Sequence, residues 1–218
     1  MKRYLLLICL LLSIFFPSLC SAEDLSTAYM LGIRMGFWSA VDAKNVQAPP
    51  GEEILSKVTA PYGEFHASAG LRKGFALGIS LGSYYRGETR YNDPYGYYWR
   101  RVTIYPISGE LKFFPLYTIK KFRWQPYVDA GVGFVSGIEN LRFGEYVGPL
   151  LYVESGTNSY LTFGWHVGGG FEFNLSRLLV IGTDFKYRGV KFGDTVGGLK
   201  DYSGPEVTLG LSYIIKGI

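Results

Sequence analysis

The stretch "SYLTFGWHVGGGFEFNLSRLLVIGTDFKYRG" (159–189) alternates large apolar residues with small or charged ones. Glu172, Asp184, Lys186 and Arg188 fall between Phe171, Phe173, Ile181, Phe185 and Tyr187. A period of two belongs to β-strands, whose successive side chains point to opposite faces. The alternation breaks only at Leu175-Ser176-Arg177, which reads as a short turn between two strands. The fold therefore turns on which of the two faces meets water.

The rest of the chain has the same character. Its 218 residues include 29 glycines, and 17% are aromatic, enough for one domain with a sizeable core. The first residues read as a signal peptide, 1–22: Lys2 and Arg3, an apolar run from Tyr4 to Phe16, then Cys20-Ser21-Ala22 before Glu23. That run is shorter than the ~18 residues a spanning helix needs. Residues 23–218 are expected to form the single barrel domain. Both cysteines, Cys9 and Cys20, lie in the leader, so the mature chain would hold no disulfide or thiolate. Without Lys2 and Arg3 the 22 basic residues become 20 against 18 acidic ones, and no basic run suggests nucleic acid.

Alternating segments recur at 29–40, 63–72, 75–85, 100–113, 124–137, 160–174, 178–189 and 204–215, giving eight strands. Short connections (73–74, 114–123, 175–177) alternate with longer ones (41–62, 86–99, 138–159, 190–203) rich in Gly, Pro, Asn, Asp and Tyr. Short turns at one end and long loops at the other suit an antiparallel transmembrane β-barrel, with the termini at the periplasmic end.

One face of these strands is apolar throughout, as in Leu77, Ile79 and Leu81 or Val207, Leu209 and Leu211. The other carries five cations, Arg34, Arg72, Lys112, Lys186 and Arg188, and six anions, Glu64, Glu110, Asp129, Glu172, Asp184 and Glu206, separated by glycines. An eight-stranded barrel is just wide enough inside for side chains to fill it, and buried charges must be paired. The near balance therefore places the charged face in the lumen and the apolar face in lipid. Glu172 and Lys186 or Arg188 are neighbours by a short turn, at different heights, and Arg34, Glu110 and Asp129 are expected as cross-lumen partners. Aromatic girdles are expected from Tyr84, Tyr85, Tyr91, Tyr95, Tyr97, Tyr98 and Trp99 at one interface, and from Phe113, Phe114, Tyr117, Phe122, Trp124 and Tyr127 at the other.

"FRWQPYVDAGVGF" (122–134) and "GWHVGGGFEFNLSRLLVIGTDFKYRG" (164–189) resemble the OmpA/OmpW-like family of small outer-membrane β-barrels. Trp124-Gln125-Pro126-Tyr127 leading into Gly131-x-Gly133 resembles their fifth strand, and the turn at Asn174-Leu175-Ser176 resembles the junction of their sixth and seventh. The resemblance implies a monomer in the outer membrane of a Gram-negative-type bacterium. It would be inserted by the barrel machinery and contact lipid and lipopolysaccharide. Such barrels commonly end on an aromatic residue, whereas this sequence ends Lys216-Gly217-Ile218, leaving Tyr213 for that part, and no peptidoglycan-binding domain is expected.

Three motifs touch on chemistry. "GISLG" (78–82) matches the nucleophile elbow, but the alternation runs straight through, so Ser80 is a lumen residue. In "HVGGG" (166–170), His166 points inward and Gly169 leaves a gap in the outer row for an aromatic ring. "FHASAGL" (65–71) is similar to the His-x-Ser pair of outer-membrane lipid A deacylases. The resemblance would make His66 the base and Ser68 the nucleophile. Both share the phase of Glu64 and are expected in the lumen near the extracellular rim. With two histidines and no mature cysteine, no metal or other cofactor is expected. The leading expectation is a non-catalytic structural or surface-interaction protein with a charge-plugged lumen. The alternatives are a narrow channel for small hydrophobic solutes and a lipid A-modifying enzyme.

Overall fold

A computed structural model describes residues 28–41, 59–93, 95–116, 124–147, 150–176 and 178–216. The leader, most of the first long loop and the last two residues lie outside them. The strands are β1 (Ala28–Ser39), β2 (Thr59–Gly70), β3 (Phe75–Asp93), β4 (Gly96–Phe113), β5 (Trp124–Val147), β6 (Leu150–Asn174), β7 (Leu179–Val196), β8 (Leu199–Asp201) and β9 (Gly204–Lys216). Each of β1 to β7 pairs antiparallel with the next. β9 pairs with both β7 and β1, closing a ring of eight. The three-residue β8 stands outside that ring, folded back on the end of β7.

Turn chemistry fixes the ends. Lys73 (φ 62°) and Gly74 (φ 79°) both adopt the left-handed conformation of a two-residue hairpin turn. Gly197 and Gly198 make the matching turn between β7 and β8, with φ of 59° and 78°. Arg72 opens the first of these turns rather than ending a strand, because β2 stops at Gly70. Its side chain lies outside the described residues, so the expected fifth lumen cation is not placed.

The apolar face is outside. Phe65, Leu161 and Leu209 are 69%, 72% and 61% exposed, as only a side chain offered to lipid should be. Trp124, Tyr85 and Tyr105 belong to this exterior. Three expected girdle residues are buried instead: Tyr84 and Tyr127 take the inward phase of β3 and β5, and Phe114, just past the end of β4, packs on Tyr127. Tyr91 keeps its backbone place in β3, but its side chain, like Tyr117 and Phe122, lies outside the described residues. Aromatic rings do cover glycines, as where the Trp165 indole lies over its cross-strand neighbour Gly189. At Gly169 an added Cβ would meet a backbone atom instead, the carbonyl oxygen of Tyr127 at 2.5 Å.

Three of the expected long loops are largely strand. A spanning strand needs ~9–11 residues, yet β5 has 24 and β6 has 25. Register runs unbroken from Val128↔Gly169 to Val147↔Leu150. On the other side of β4, pairing with β3 continues to Asp93↔Gly96. β3 to β6 therefore project past the barrel as a four-stranded arm. The Gly, Asn and Tyr content that suggests loops is here carried by ladders that neighbouring strands satisfy.

Candidate functional site: a filled lumen

Register brings the inward charges together. On β1 and β2, Arg34 faces Glu64 directly, and Gly210 of β9 lies on its other side. A Cβ at Gly210 would come within 2.7 Å of Arg34 Cγ, so that position must be glycine for the guanidinium stem to cross the lumen. Arg34 donates to Glu64 at 2.6 Å and reaches Asp184 at 2.9 Å. Lys186 Nζ lies 3.2 Å from Asp129, 3.3 Å from Glu110 and 3.6 Å from Asp184. Arg188 pairs with Glu206 and, at 3.2 Å, with Glu64. Lys112 pairs with Glu172 at 3.4 Å.

Ten of the eleven expected lumen charges thus form one network, nine of them buried and Glu172 half-buried at its lower edge; the side chain of the eleventh, Arg72, lies outside the described residues. The difference in height expected from the sequence is decisive for Glu172. Lys186 and Arg188 sit farther up the barrel with other carboxylates, and Lys112 of β4 takes their place. Strand tilt decides such matches across the lumen, and periodicity carries no record of tilt.

The network has members that alternation alone does not single out. Tyr62 donates to Glu64 at 2.7 Å, and Tyr127 donates to Asp184. His166 Nε2 lies 3.6 Å from Asp129. Glu110, Asp129 and His166 offer ligand atoms all within 4.8 Å of one another, a spacing that could hold a metal ion. The Lys186 ammonium stands against the same two carboxylates, so a cation of the chain's own already fills that role.

Above this waist, toward the end away from the termini, the lumen becomes apolar. Trp38, Tyr84, Ile104, Val135, Phe192 and Tyr202 are all buried in one cluster. Val196 and Leu199, flanking the β7–β8 turn, are buried in the same cluster. The hairpin tip enters so closely that a Cβ at Gly197 would meet Val102 Cγ2 at 2.7 Å. Arg86 holds it there, donating to the Gly197 carbonyl at 2.9 Å and to the Tyr202 hydroxyl at 2.8 Å. Arg188 joins the two layers, its guanidinium 5.6 Å from the Trp38 ring and 5.0 Å from that of Tyr62. Below the waist, Ala76, Phe114 and Tyr127 form a smaller apolar layer.

The motif residues take ordinary places in this filling. Ser80 contacts Ser108 at 3.2 Å across β3 and β4. His66 Nε2 contacts Ser212 Oγ at 3.0 Å. Ser68 is buried beside it in sequence, and both face the lumen. They lie toward the periplasmic end, not the extracellular rim, because β2 descends from Thr59 to the Lys73-Gly74 turn.

No protein-family model matches the chain, and no curated protein matches it significantly. Solved structures do. Neisserial surface protein A aligns with a TM-score of 0.52 at 12% identity, over 88% of this chain and 99% of that one. The outer-membrane protein OprG of Pseudomonas aeruginosa gives 0.51 at 11% identity, over 88% and 98%. Identities this low speak to the fold alone. Together with the apolar exterior and the filled lumen, that fold defines an eight-stranded transmembrane β-barrel of the outer-membrane type. Its architecture is similar to that of these small outer-membrane barrels.

Proposed function

We propose that this is a non-conducting outer-membrane barrel whose work is done outside the membrane, by the arm that β3 to β6 raise above it. The observation that carries this reading is the layered lumen: apolar cap, ionic waist and apolar base follow one another along the axis. With the interior spent on stability, the arm is the part left free to act. From 150 to 163, β6 pairs with β5 on one side only among the described residues, because its pairing with β7 begins at Gly164↔Val190. Such an edge offers unpaired backbone groups to an incoming strand, and strand addition is a common mode of protein recognition. The reading is therefore a surface-interaction protein that pairs with an extended segment of its partner.

The channel and enzyme readings draw less support. A channel needs a continuous path, and the enzyme needs His66 and Ser68 to meet lipid, which both face away from. Planar-bilayer recording tests the proposal: the full-length protein should give no steady conductance. Stable currents would overturn it in favour of a channel.

A further inference from the structure

The arm has two faces of opposite charge. On the face over the barrel mouth lie Arg100, Glu139, Glu145 and Glu154, one cation and three anions among the described side chains. On the outward face, Glu88 stands opposite Arg101, Arg90 opposite Trp99, and Trp99 opposite Arg142. That face carries three cations and one anion. It also continues the lipid-facing surface: Arg101 is on the same face of β4 as Tyr105, four residues farther out, or about 13 Å along the strand.

The outward cations are held in place. Arg101 and Arg142 lie 5.1 Å and 5.7 Å from the centre of the same Trp99 ring. Arg101 and Arg90 share the single carboxylate of Glu88, at 2.7 Å and 2.8 Å. Among the described residues Arg142 has no carboxylate partner. One indole thus gathers two guanidinium groups that repel each other, on the continuation of the lipid-facing side beyond Tyr105. A phosphate monoester, with up to two negative charges and three acceptor oxygens, relieves that repulsion, and guanidinium forks match it geometrically.

We infer that Arg90, Arg101 and Arg142 form a binding patch for the phosphorylated sugar headgroups of outer-leaflet glycolipid. The occupant is the surrounding membrane rather than a soluble anion, because the patch faces sideways over the lipid and the arm's other face is acidic. Binding there would fix the arm's height and tilt above the bilayer. The inference is independent of the strand-pairing proposal, which concerns the β6 edge.

The test uses the full-length protein in phosphatidylcholine nanodiscs, titrated with lipopolysaccharide and with the same glycolipid after enzymatic dephosphorylation. Wild type should bind the phosphorylated form about tenfold more tightly or better, the scale of one lost charge-assisted contact. The double variant Arg101→Gln, Arg142→Gln should lose that preference, while Lys200→Gln, an exposed cation on the β7–β8 hairpin, should keep it. Equal binding of both glycolipids by wild type would overturn the inference, and that comparison needs no substitution. So would an unchanged preference in the double variant. A soluble sulfated polysaccharide or inorganic phosphate that bound as tightly as the glycolipid would overturn the assignment to the membrane.

Discussion

Arg34 and Trp38 lie four residues apart on the same inward face of β1, and both are buried. Arg34 ends among three carboxylates, Glu64, Asp184 and Glu110, while Trp38 packs its ring 4.7 Å from that of Tyr84. Waist and cap close the same cylinder by different physics. The waist is closed by charges that tolerate no missing partner, since an unpaired ion in a dry interior is costly. The cap is closed by rings and β-branched side chains, with Arg86 pinning in a hairpin tip that folds back from outside. A plug of the first kind is part of the wall; one of the second kind can be loosened at its hinge. The comparison predicts that damage to the waist unfolds the barrel, whereas damage to the cap uncovers its mouth.

The largest effect should come from Lys186, the cation that most carboxylates share. Lys186→Met would leave Glu110, Asp129 and Asp184 facing one another, and should lower stability by about 3–5 kcal/mol. Urea unfolding in lipid vesicles would measure it. A loss below about 1 kcal/mol, the scale of exposed pairs, would mean that water reaches the waist and that the two layers do not differ as argued. Its chain neighbour gives the control for sidedness. Phe185 is 53% exposed on the lipid face, and Phe185→Arg should cost about 2–4 kcal/mol if it lies near the midplane. A milder effect than that of an arginine at the exposed arm residue Thr157 would invert the assignment of inside and outside.

The cap should respond less. Arg86→Gln removes charge-assisted hydrogen bonds to the hairpin tip, a loss of about 1.5–3 kcal/mol by the usual scale of such bonds. We expect this to appear as faster hydrogen exchange in 190–202, with the barrel strands still protected. Global unfolding in place of local exchange would show that cap and waist form one cooperative unit.

The two regions were unequally legible in the sequence. The waist could be read because its charges alternate with lipid-facing apolar residues, so phase alone separates inside from outside. In the cap both phases are apolar or aromatic. "RRVTIYP" (100–106) places Val102 and Ile104 inward and Tyr105 outward with no change of character to mark the difference. Tyr84 reads as girdle for the same reason, whereas Tyr127 shares the phase of Asp129 and reads as girdle by its residue type alone. The arm was hidden by composition, since "RGETRYND" (86–93) has the residues of a loop and becomes strand because β4 lies beside it. The alternation also overshoots the end of β2 by two residues, because Leu71 and Arg72 keep it while the Lys73-Gly74 turn already takes the chain out of the sheet. Charge pairing across the lumen depends on tilt and height, which no local pattern encodes.

The smallest effect should appear in the arm, where neither layer reaches. Glu88 receives hydrogen bonds from Trp99 first and then Arg101, and these hold its carboxyl at about 2, below the usual 4.5. A carboxyl lowered in the folded state stabilises it fully above the unfolded value, and the contribution fades as pH falls from about 4.5 through about 2. Protection of the amides in 96–101 should therefore decline across that window in wild type. In Glu88→Gln that part of the pH dependence should be missing, while other carboxylates titrate in both proteins and cancel in the difference. The size should be modest, because the residues lie at the surface and salt screens them. Identical pH profiles in the two proteins would detach Glu88 from Trp99 and Arg101. Arg101 and Arg142 would then be held by the indole alone.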